Sequence, residues 1–219
     1  MATPIIWSSV AVAMQSALAT AVVITGITKA SPGVVSYTDA GGSDPTNGNY
    51  VVMVNIQGMN QVNNRVFRVA NVSAGSDTFE LEGENTSSYD TFTSGSFQVI
   101  TFGTTLATAR GLTASGGDYD YIDTTTIHDQ VRTQIPGLPA PLAYSLENIW
   151  DVADGGLVAM NTAAKLKAQR AFRFTFSSGQ IMVFNGYVGA SLAPVGNAQD
   201  LVTTPATITM FGLPTYYSS

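Results

Sequence analysis

His128, the only histidine in the chain, is the side chain best suited by type to nucleophilic catalysis. Asp123 and Asp129 flank it in the sequence, and an imidazole paired with a carboxylate can activate a serine hydroxyl. The Gly-x-Ser-x-Gly turn that presents the serine of many hydrolases is not found in the sequence. Because a lone histidine in a Thr-rich β segment is more often a surface or hydrogen-bonded residue, we predict no catalytic role for His128.

Four acidic residues in the same region could support two other kinds of chemistry. Asp118, Asp120, Asp123 and Glu147 could provide the paired carboxylates of a glycoside hydrolase. The three aspartates could also offer oxygen ligands to Ca²⁺, although their spacing does not match the twelve-residue EF-hand loop with its final Glu. Acidic residues that are close in the sequence more often form a hydrated surface. We therefore predict no catalytic residue, no metal site and no cofactor.

The composition excludes several further classes of function. The 219 residues include no cysteine, so disulfides, thiol catalysis and Cys-ligated metals are excluded. Charged residues make up only 11% of the chain, whereas a typical domain carries roughly 25%. The sequence pI near 4.5 argues against a protein that grips the phosphates of DNA. Because 45% of the residues are apolar, we expect a folded domain with a real core.

The acidic residues lie in a segment that resembles a hairpin more than a central strand. Over residues 118–123 aspartates alternate with tyrosines, except that Asp123 falls on the tyrosine side. Pro136, Pro139 and Pro141 close the region, and proline cannot donate a hydrogen bond within a central strand.

Residues 28–100 show the pattern of one compact β unit. Short segments rich in β-branched and aromatic residues alternate with turns rich in Gly, Asn and Asp, which is typical of a small barrel or sandwich. The predicted strands are Tyr50–Ile56, Val66–Val72, Thr78–Leu81 and Ser96–Phe102.

One helix is predicted after this unit. Asp154 can cap its N-terminus, and apolar residues recur at helical spacing as far as Ala164. Lys165, Lys167 and Arg170 follow, where cations complement the carbonyl end of the helix dipole.

Strands follow the helix. Residues 172–188 predict a hairpin with an aromatic inner face, turning at 177–180. Leu201–Phe211 predicts a last strand, in which Pro205 marks a bulge or an edge.

Residues 5–24 resemble the apolar part of a signal peptide. The first Lys or Arg is Lys29, so the positive segment that precedes such a stretch is missing. Larger residues alternate with alanine over Val10–Met14, which predicts a strand instead. We therefore expect a chain that is made without export.

Charge is distributed unevenly along the chain. The net charge is −4 over residues 1–109, −5 over 110–160 and +3 over 161–219. Such a molecule can attract copies of itself head to tail, because electrostatic complementarity fixes register. The simpler explanation is a set of solvated faces, and the charges alone favour it.

Three stretches together carry the pattern of a known family. The first is GGDYDYIDTTTIHDQVRTQIPGLP at 116–139 with YSLENIWD at 144–151, and the second is RAFRFTFSSGQIMVFNGYVGASLAPVGNAQD at 170–200. The third is LVTTPATITMFGLPTYY at 201–217. They resemble the long hairpin, the hairpin after the helix and the closing strand of the major tail tube proteins of bacteriophages with long, non-contractile tails. The resemblance implies a mainly β tail-tube sandwich or barrel with one α-helix.

The remaining part of the chain resembles a second kind of module. Residues 27–38, 47–72 and 78–95 look like the small β-barrel named after the first catalytic-cysteine half-domain of ubiquitin-activating enzymes. Without cysteine it cannot perform that chemistry. The expected organisation is a tail tube domain of residues 1–27 and 101–219, with residues 28–100 as an inserted small β-barrel on the outer surface.

The tail tube resemblance implies a specific assembly. Six copies would form a ring, rings would stack into a tube, and the long hairpin would order and pair with neighbouring chains during assembly. Exposed strand edges, which such pairing requires, are normally an aggregation hazard, and here they would serve assembly. Partners would be the chain itself, the tape-measure protein, the tail terminator and the tail-tip proteins. The protein would be made in the cytoplasm of the host bacterium and end in the virion, without a membrane.

The resemblance also suggests roles for charged residues. DNA would cross the lumen without specific binding, because an acidic wall repels phosphate. Candidates for the lumen wall are Asp118, Asp120, Asp123 and Asp129, and candidates for contacts between rings are Lys165, Lys167, Arg170 and Arg173. The alternative is a secreted β-rich adhesin or carbohydrate-binding module, which would share the Thr-, Ser- and Gly-rich composition.

Overall fold

The computed structural model of the chain describes residues 10–38 and 44–218. The first part of the segment 5–24 therefore lies outside the described residues. Nearly half of the chain is strand, and the described residues contain one α-helix, which confirms the mainly β prediction.

The strands are numbered in chain order. They are β1 Ala11–Met14, β2 Ala17–Leu18, β3 Val22–Ile27, β4 Val34–Tyr37, β5 Tyr50–Gln57, β6 Val66–Ser73, β7 Thr78–Leu81, β8 Ser94–Thr101, β9 Thr104–Thr105, β10 Ala109–Ser115, β11 Tyr119–Asp123, β12 Gln134–Pro139, β13 Ala143–Ile149, β14 Gln169–Thr175, β15 Ile181–Ala190, β16 Thr203–Met210 and β17 Thr215–Tyr217. The helix α1 spans Gly155–Leu166, between β13 and β14.

An eight-stranded antiparallel sheet forms one half of the molecule. Its order is β10-β13-β16-β15-β14-β1-β9, and β17 pairs with β15 beside this path. One face of the sheet packs on α1 around a core of aromatic and aliphatic side chains, in which Phe172, Phe174 and Phe184 are fully buried. The alternation in β14 and the helical spacing in α1 were predicted separately, and the structure shows that the two apolar faces pack against each other.

The other half is a closed barrel. β8, β3, β4, β7, β6 and β5 pair in that order, and β5 pairs again with β8, while β2 extends the sheet beside β8. Its interior is filled by buried side chains such as Phe67, Phe79 and Phe97. The four strands predicted between residues 50 and 102 are confirmed, with small shifts at their ends. β3 and β4 were not predicted.

The strands of the barrel begin before residue 28, because β3 starts at Val22. The division into 1–27 with 101–219 and an inserted 28–100 stays a prediction.

The predictions for α1 and the hairpin after it are confirmed. The Asp154 carboxylate accepts a hydrogen bond from the Leu157 N–H at 2.8 Å, which is the N-cap interaction, and Lys167 ends the helix in a left-handed conformation. β14 and β15 pair over seven residues around the turn at 176–180.

The strand predicted over Leu201–Phe211 is confirmed, but the prediction that it is the last strand is wrong. β16 spans Thr203–Met210, and β17 follows because a short turn after it returns the chain to pair with β15. The prediction for Pro205 is confirmed. It lies opposite Glu147 on β13, and the pairing of β16 with β15 stops at Ala206, so Pro205 has a free edge on that side.

A buried ion pair crosses one end of the barrel. Arg65 Nη1 lies 2.5 Å from Glu84 Oε1, and the two side chains are only 8% and 12% exposed. The Tyr89 hydroxyl also donates to the Glu84 carboxylate, and the Arg65 guanidinium lies over the Phe67 ring. Burial, and then the hydrogen bond to Glu84, raise the pKa of the Tyr89 hydroxyl. Glu84 therefore accepts from two donors, the buried Arg65 guanidinium and the partly buried Tyr89 hydroxyl.

We expect Glu84→Gln to lower the free energy of unfolding by about 3 kcal/mol, because it leaves the Arg65 charge buried without its counter-charge. Urea denaturation would measure this change. The matched control is Glu80→Gln on β7, a partly exposed carboxylate that accepts a hydrogen bond from the Asn71 amide and should change the stability by no more than about 0.5 kcal/mol. Equal effects of the two substitutions would contradict the role given to the buried pair.

Candidate assembly hairpin

A long two-stranded arm, residues 109–149, has its base strands β10 and β13 in the eight-stranded sheet and its outer strands β11 and β12 outside that sheet. β10 and β13 pair from Ala109–Asn148 to Ser115–Ala143, and β11 and β12 continue the arm as a separate two-stranded sheet. Hydrogen bonds from Gly117 N–H to the Ala140 carbonyl and from Ala140 N–H to the Asp118 carbonyl join the two parts. The segment predicted to be a long hairpin therefore forms one.

No other element of the described chain packs against the distal hairpin, residues 118–139. Ile127 is 96% exposed and Leu138 is 85% exposed. The large apolar side chains that it exposes are Tyr119, Tyr121, Ile122, Ile127, Val131, Ile135 and Leu138. Monomeric proteins seldom expose so many large apolar groups together, and such patches mark interaction sites.

Polar contacts shape the tip of the distal hairpin. Asp123 Oδ1 accepts from the Thr125 N–H at 2.8 Å, and Asp129 Oδ2 accepts from the Thr126 N–H at 2.7 Å. The hydroxyl and N–H of Thr125 lower the pKa of Asp123, and the N–H and hydroxyl of Thr126 lower the pKa of Asp129. The pKa values are lowered because the hydrogen bonds stabilise the ionised carboxylates. These contacts therefore support the turn at neutral pH and are lost as the pH falls through those pKa values.

The four candidates for an acidic lumen wall all lie exposed on the distal hairpin or beside its strands. Asp120 is in β11 between Tyr119 and Tyr121, and Asp123 is the last residue of that strand, whose pairing with β12 is irregular between Tyr119 and Tyr121. Asp123 also lies 3.9 Å from Arg132. Within the part of the chain that the structure describes, the carboxylates of Asp118 and Asp120 have no hydrogen bond or ion pair.

A glycine lies where the chain leaves β10 and enters the distal hairpin. Gly116 has φ +85°, and a Cβ there would lie 2.2 Å from the Pro141 carbonyl oxygen. An L side chain at this position is strained by both the backbone conformation and the contact.

We expect Gly116→Ala to displace the distal hairpin while the core of the sheet stays folded. The cost should be more than about 1 kcal/mol locally, because alanine rarely adopts this φ and cannot fit beside the carbonyl. Amide exchange of β11 and β12 should rise, and that of β15 should stay unchanged. Gly75→Ala is the control, because a Cβ there meets nothing within 4 Å. Unchanged exchange in Gly116→Ala would contradict the prediction.

The basic candidates differ in their surroundings. Lys165 and Lys167 are exposed at the C-terminal end of α1, and Arg170 is half-buried with its guanidinium donating to the Gln169 carbonyl. The Arg173 guanidinium lies over the rings of Tyr50 and Phe102, at 5.6 and 5.0 Å from their centroids. Arg173 thus contacts the barrel of its own chain. For all four basic residues, a contact with a subunit of the next ring in the tube stays a prediction.

The structure gives no support to the catalytic alternatives considered for this region. His128 is exposed at the tip, and its backbone N–H donates to the Thr126 hydroxyl at 3.4 Å. Asp129, its neighbour, is engaged with Thr126. Across residues 10–38 and 44–218, no three His, Asp or Glu side chains group as metal ligands would. None of the helices described is long and apolar enough to cross a membrane.

The comparison with known families assigns the chain to one of them. A family model described as phage tail tube protein, TTP, matches residues 57–219, which is more than half of the chain. The chain belongs to the phage tail tube protein family. The tail tube protein is a structural, non-enzymatic component of the virion that assembles with itself into a tube within the phage tail. No curated protein matches the chain.

Family membership helps to decide between the two functions considered for this chain. It favours a tail tube over a secreted adhesin or carbohydrate-binding module, since the matched residues include the arm, α1 and the strands after it. The apolar surface of the distal hairpin was not predicted from the sequence. Its signal was present in Ile127, Val131 and Leu138, which are large apolar residues in an otherwise polar segment.

Proposed function

We propose that six copies of the chain form a ring, that rings stack into the tail tube, and that the distal hairpin makes the contacts between neighbouring chains. The exposed apolar side chains of the distal hairpin carry this proposal. In a chain whose family builds tubes, burial of such a surface against a neighbour supplies the driving force of assembly. Rings whose two faces differ propagate as a filament, because the contact does not close.

The proposal includes an acidic conduit for DNA. Asp118 and Asp120 are supported as lumen residues by their exposure and by the lack of a neutralising partner within the described residues. Asp123 and Asp129 would add negative charge while they also hold the turn of the tip. Repulsion between such a wall and phosphate would let DNA pass during genome delivery without binding.

The proposed tail is long and non-contractile, with the tape-measure protein inside the tube and the tail terminator and tail-tip proteins at its ends. The barrel of β3 to β8 is proposed as an inserted module on the outer surface. Its closed pairing supports this placement, because a closed barrel has no free edge to pair with strands of a neighbouring chain.

Electron microscopy of negatively stained protein at rising concentration tests the proposal directly. We expect rings or tubes whose end views have six-fold symmetry. Tubes with another symmetry would overturn the hexamer. Amide exchange of residues 115–137 should be fast in the monomer and slow in the tube, and slow exchange in the monomer would contradict assembly through this hairpin.

We expect the double substitution Lys165→Glu and Lys167→Glu to impair tube formation. Both lysines are exposed at the end of α1, and their ion pairs with acidic residues of the next ring would become repulsive. Sedimentation of assembled tubes measures the effect, which should weaken as salt rises.

The matched control for that pair is Lys29→Glu, an exposed lysine at the end of β3 on the barrel. It should leave assembly nearly unchanged, as should His128→Ala. Normal polymerisation of the double variant would contradict the role of these lysines in ring stacking.

A further inference from the structure

The short strand β17 lies between the two halves of the molecule. It pairs with β15 of the eight-stranded sheet, with Ile181 opposite Tyr217 and Val183 opposite Thr215. Thr215 and Tyr217 are buried, while Tyr216 between them is 66% exposed. The alternation of the strand therefore points one tyrosine to solvent and the other into the molecule.

Tyr217 contacts the barrel in three ways. The backbone N–H of Arg68 on β6 donates to the Tyr217 hydroxyl oxygen at 2.6 Å. The Arg68 guanidinium lies over the Tyr217 ring, 4.5 Å from its centroid. The Tyr50 ring of β5 meets it edge to face, with 6.5 Å between centroids. Each of these contacts joins β17 to a strand of the barrel rather than to its own sheet.

The Arg68 side chain is itself held in place. Its Nε donates to Glu82 Oε2 at 2.5 Å, and its Nη2 donates to Glu82 Oε1, which makes a two-pronged ion pair. A guanidinium fixed in this way is a preorganised surface for the face of an aromatic ring.

Around these contacts runs an apolar seam between barrel and sheet. The buried side chains that form it are Tyr50, Val52, Val66 and Ile100 from the barrel and Ala171, Val183 and Tyr217 from the sheet. This seam is separate from the two main cores, which are filled by other side chains. Each half therefore has a core of its own that does not need the seam.

We propose that β17 is a clasp that holds the barrel in one orientation against the eight-stranded sheet, and that Tyr217 is the residue that closes it. The chain also crosses between the halves beside Ser16 and Gly103, where the Ser16 N–H donates to the Thr101 carbonyl. Arg173 of β14 also lies over the Tyr50 and Phe102 rings across the seam. With the clasp open, that contact and the crossings are left to join the halves and act as a hinge, and both halves stay folded. The inference concerns a single chain and does not depend on ring formation.

Distances between two spin labels attached to introduced cysteines test the clasp. No native cysteine would be labelled as well, because the chain has none. Cysteines at the exposed positions Ser76, in the turn after β6, and Ser178, in the turn after β14, place one label on each half. We expect a single narrow distance in the parent chain and loss of that narrow distance in Tyr217→Ala. Far-ultraviolet circular dichroism should stay that of a folded β protein.

Tyr216→Ala is the matched control on the same strand, and it should keep the narrow distance because Tyr216 faces solvent. A narrow, unchanged distance in folded Tyr217→Ala would overturn the proposal, as would equal broadening in Tyr216→Ala. Should Tyr217→Ala not fold, Tyr217→Leu, which keeps apolar volume but removes the ring and the hydroxyl acceptor, is measured with the same two criteria.

Discussion

Replacement of residues 118–139 by Asn-Gly is expected to abolish tube formation and leave the subunit folded. Gly117 and Ala140 already face each other across the arm, and an Asn-Gly pair forms the tight turn that joins two such strands. The deleted residues contribute no buried side chain to either core. The thermal midpoint should therefore change by no more than about 4 °C.

Two measurements check this truncation. Sedimentation and electron microscopy report the loss of tubes, and calorimetry reports the midpoint. A second variant, Ile127→Asp with Leu138→Asp, keeps the arm at full length and replaces its two most exposed large apolar side chains among those named on the distal hairpin. It should also impair assembly. Normal tubes from the truncated chain would contradict the proposed role of the distal hairpin.

The largest expected loss of stability comes from Phe184→Ala in β15. Phe184 is fully buried, and its ring lies 5.5 to 5.8 Å from the rings of Phe172, Phe174 and Tyr144. Its truncation leaves a cavity beneath α1 and should lower the free energy of unfolding by about 4 kcal/mol. Because small domains have only about 5–15 kcal/mol in total, the variant should be close to unfolding at 37 °C.

Denaturant titration measures this loss. Phe211→Ala is the control, because Phe211 is part-exposed beyond the end of β16 and contacts Tyr187 edge to face. Its cost should be about 1 kcal/mol. Similar costs for the two substitutions would show that the aromatic cluster is not the main source of stability in this half.

Local patterns in the sequence were sufficient to predict several elements of the fold. The Asp154 cap and the apolar spacing predicted α1, and Phe172, Phe174 and Phe176 predicted the hairpin of β14 and β15. These predictions succeeded because capping and side-chain periodicity depend on residues that are close in the chain. β3, β4 and β17 were missed, and β17 has only three residues, too few to show a period.

The candidate site was predictable in part. The residues of the long hairpin and its acidic character followed from the sequence and from its resemblance to tail tube proteins. The exposure of Ile127 and Leu138 did not, since apolar residues in a sequence are normally expected in a core. Nor could the sequence show that Arg173 lies over Tyr50 and Phe102, because those residues are more than 70 positions away.

The sequence by itself determined the mainly β class, the absence of thiol chemistry, the place of the helix and the membership of the tail tube family. The tertiary structure decided that β3 to β8 close into a barrel, that the distal hairpin is left without a packing partner, and that Tyr217 joins the two halves. The physical reason is distance along the chain. Composition, caps and periods are local properties, whereas closure, burial and the contact of Tyr217 with Arg68 depend on residues brought together only by the folded chain.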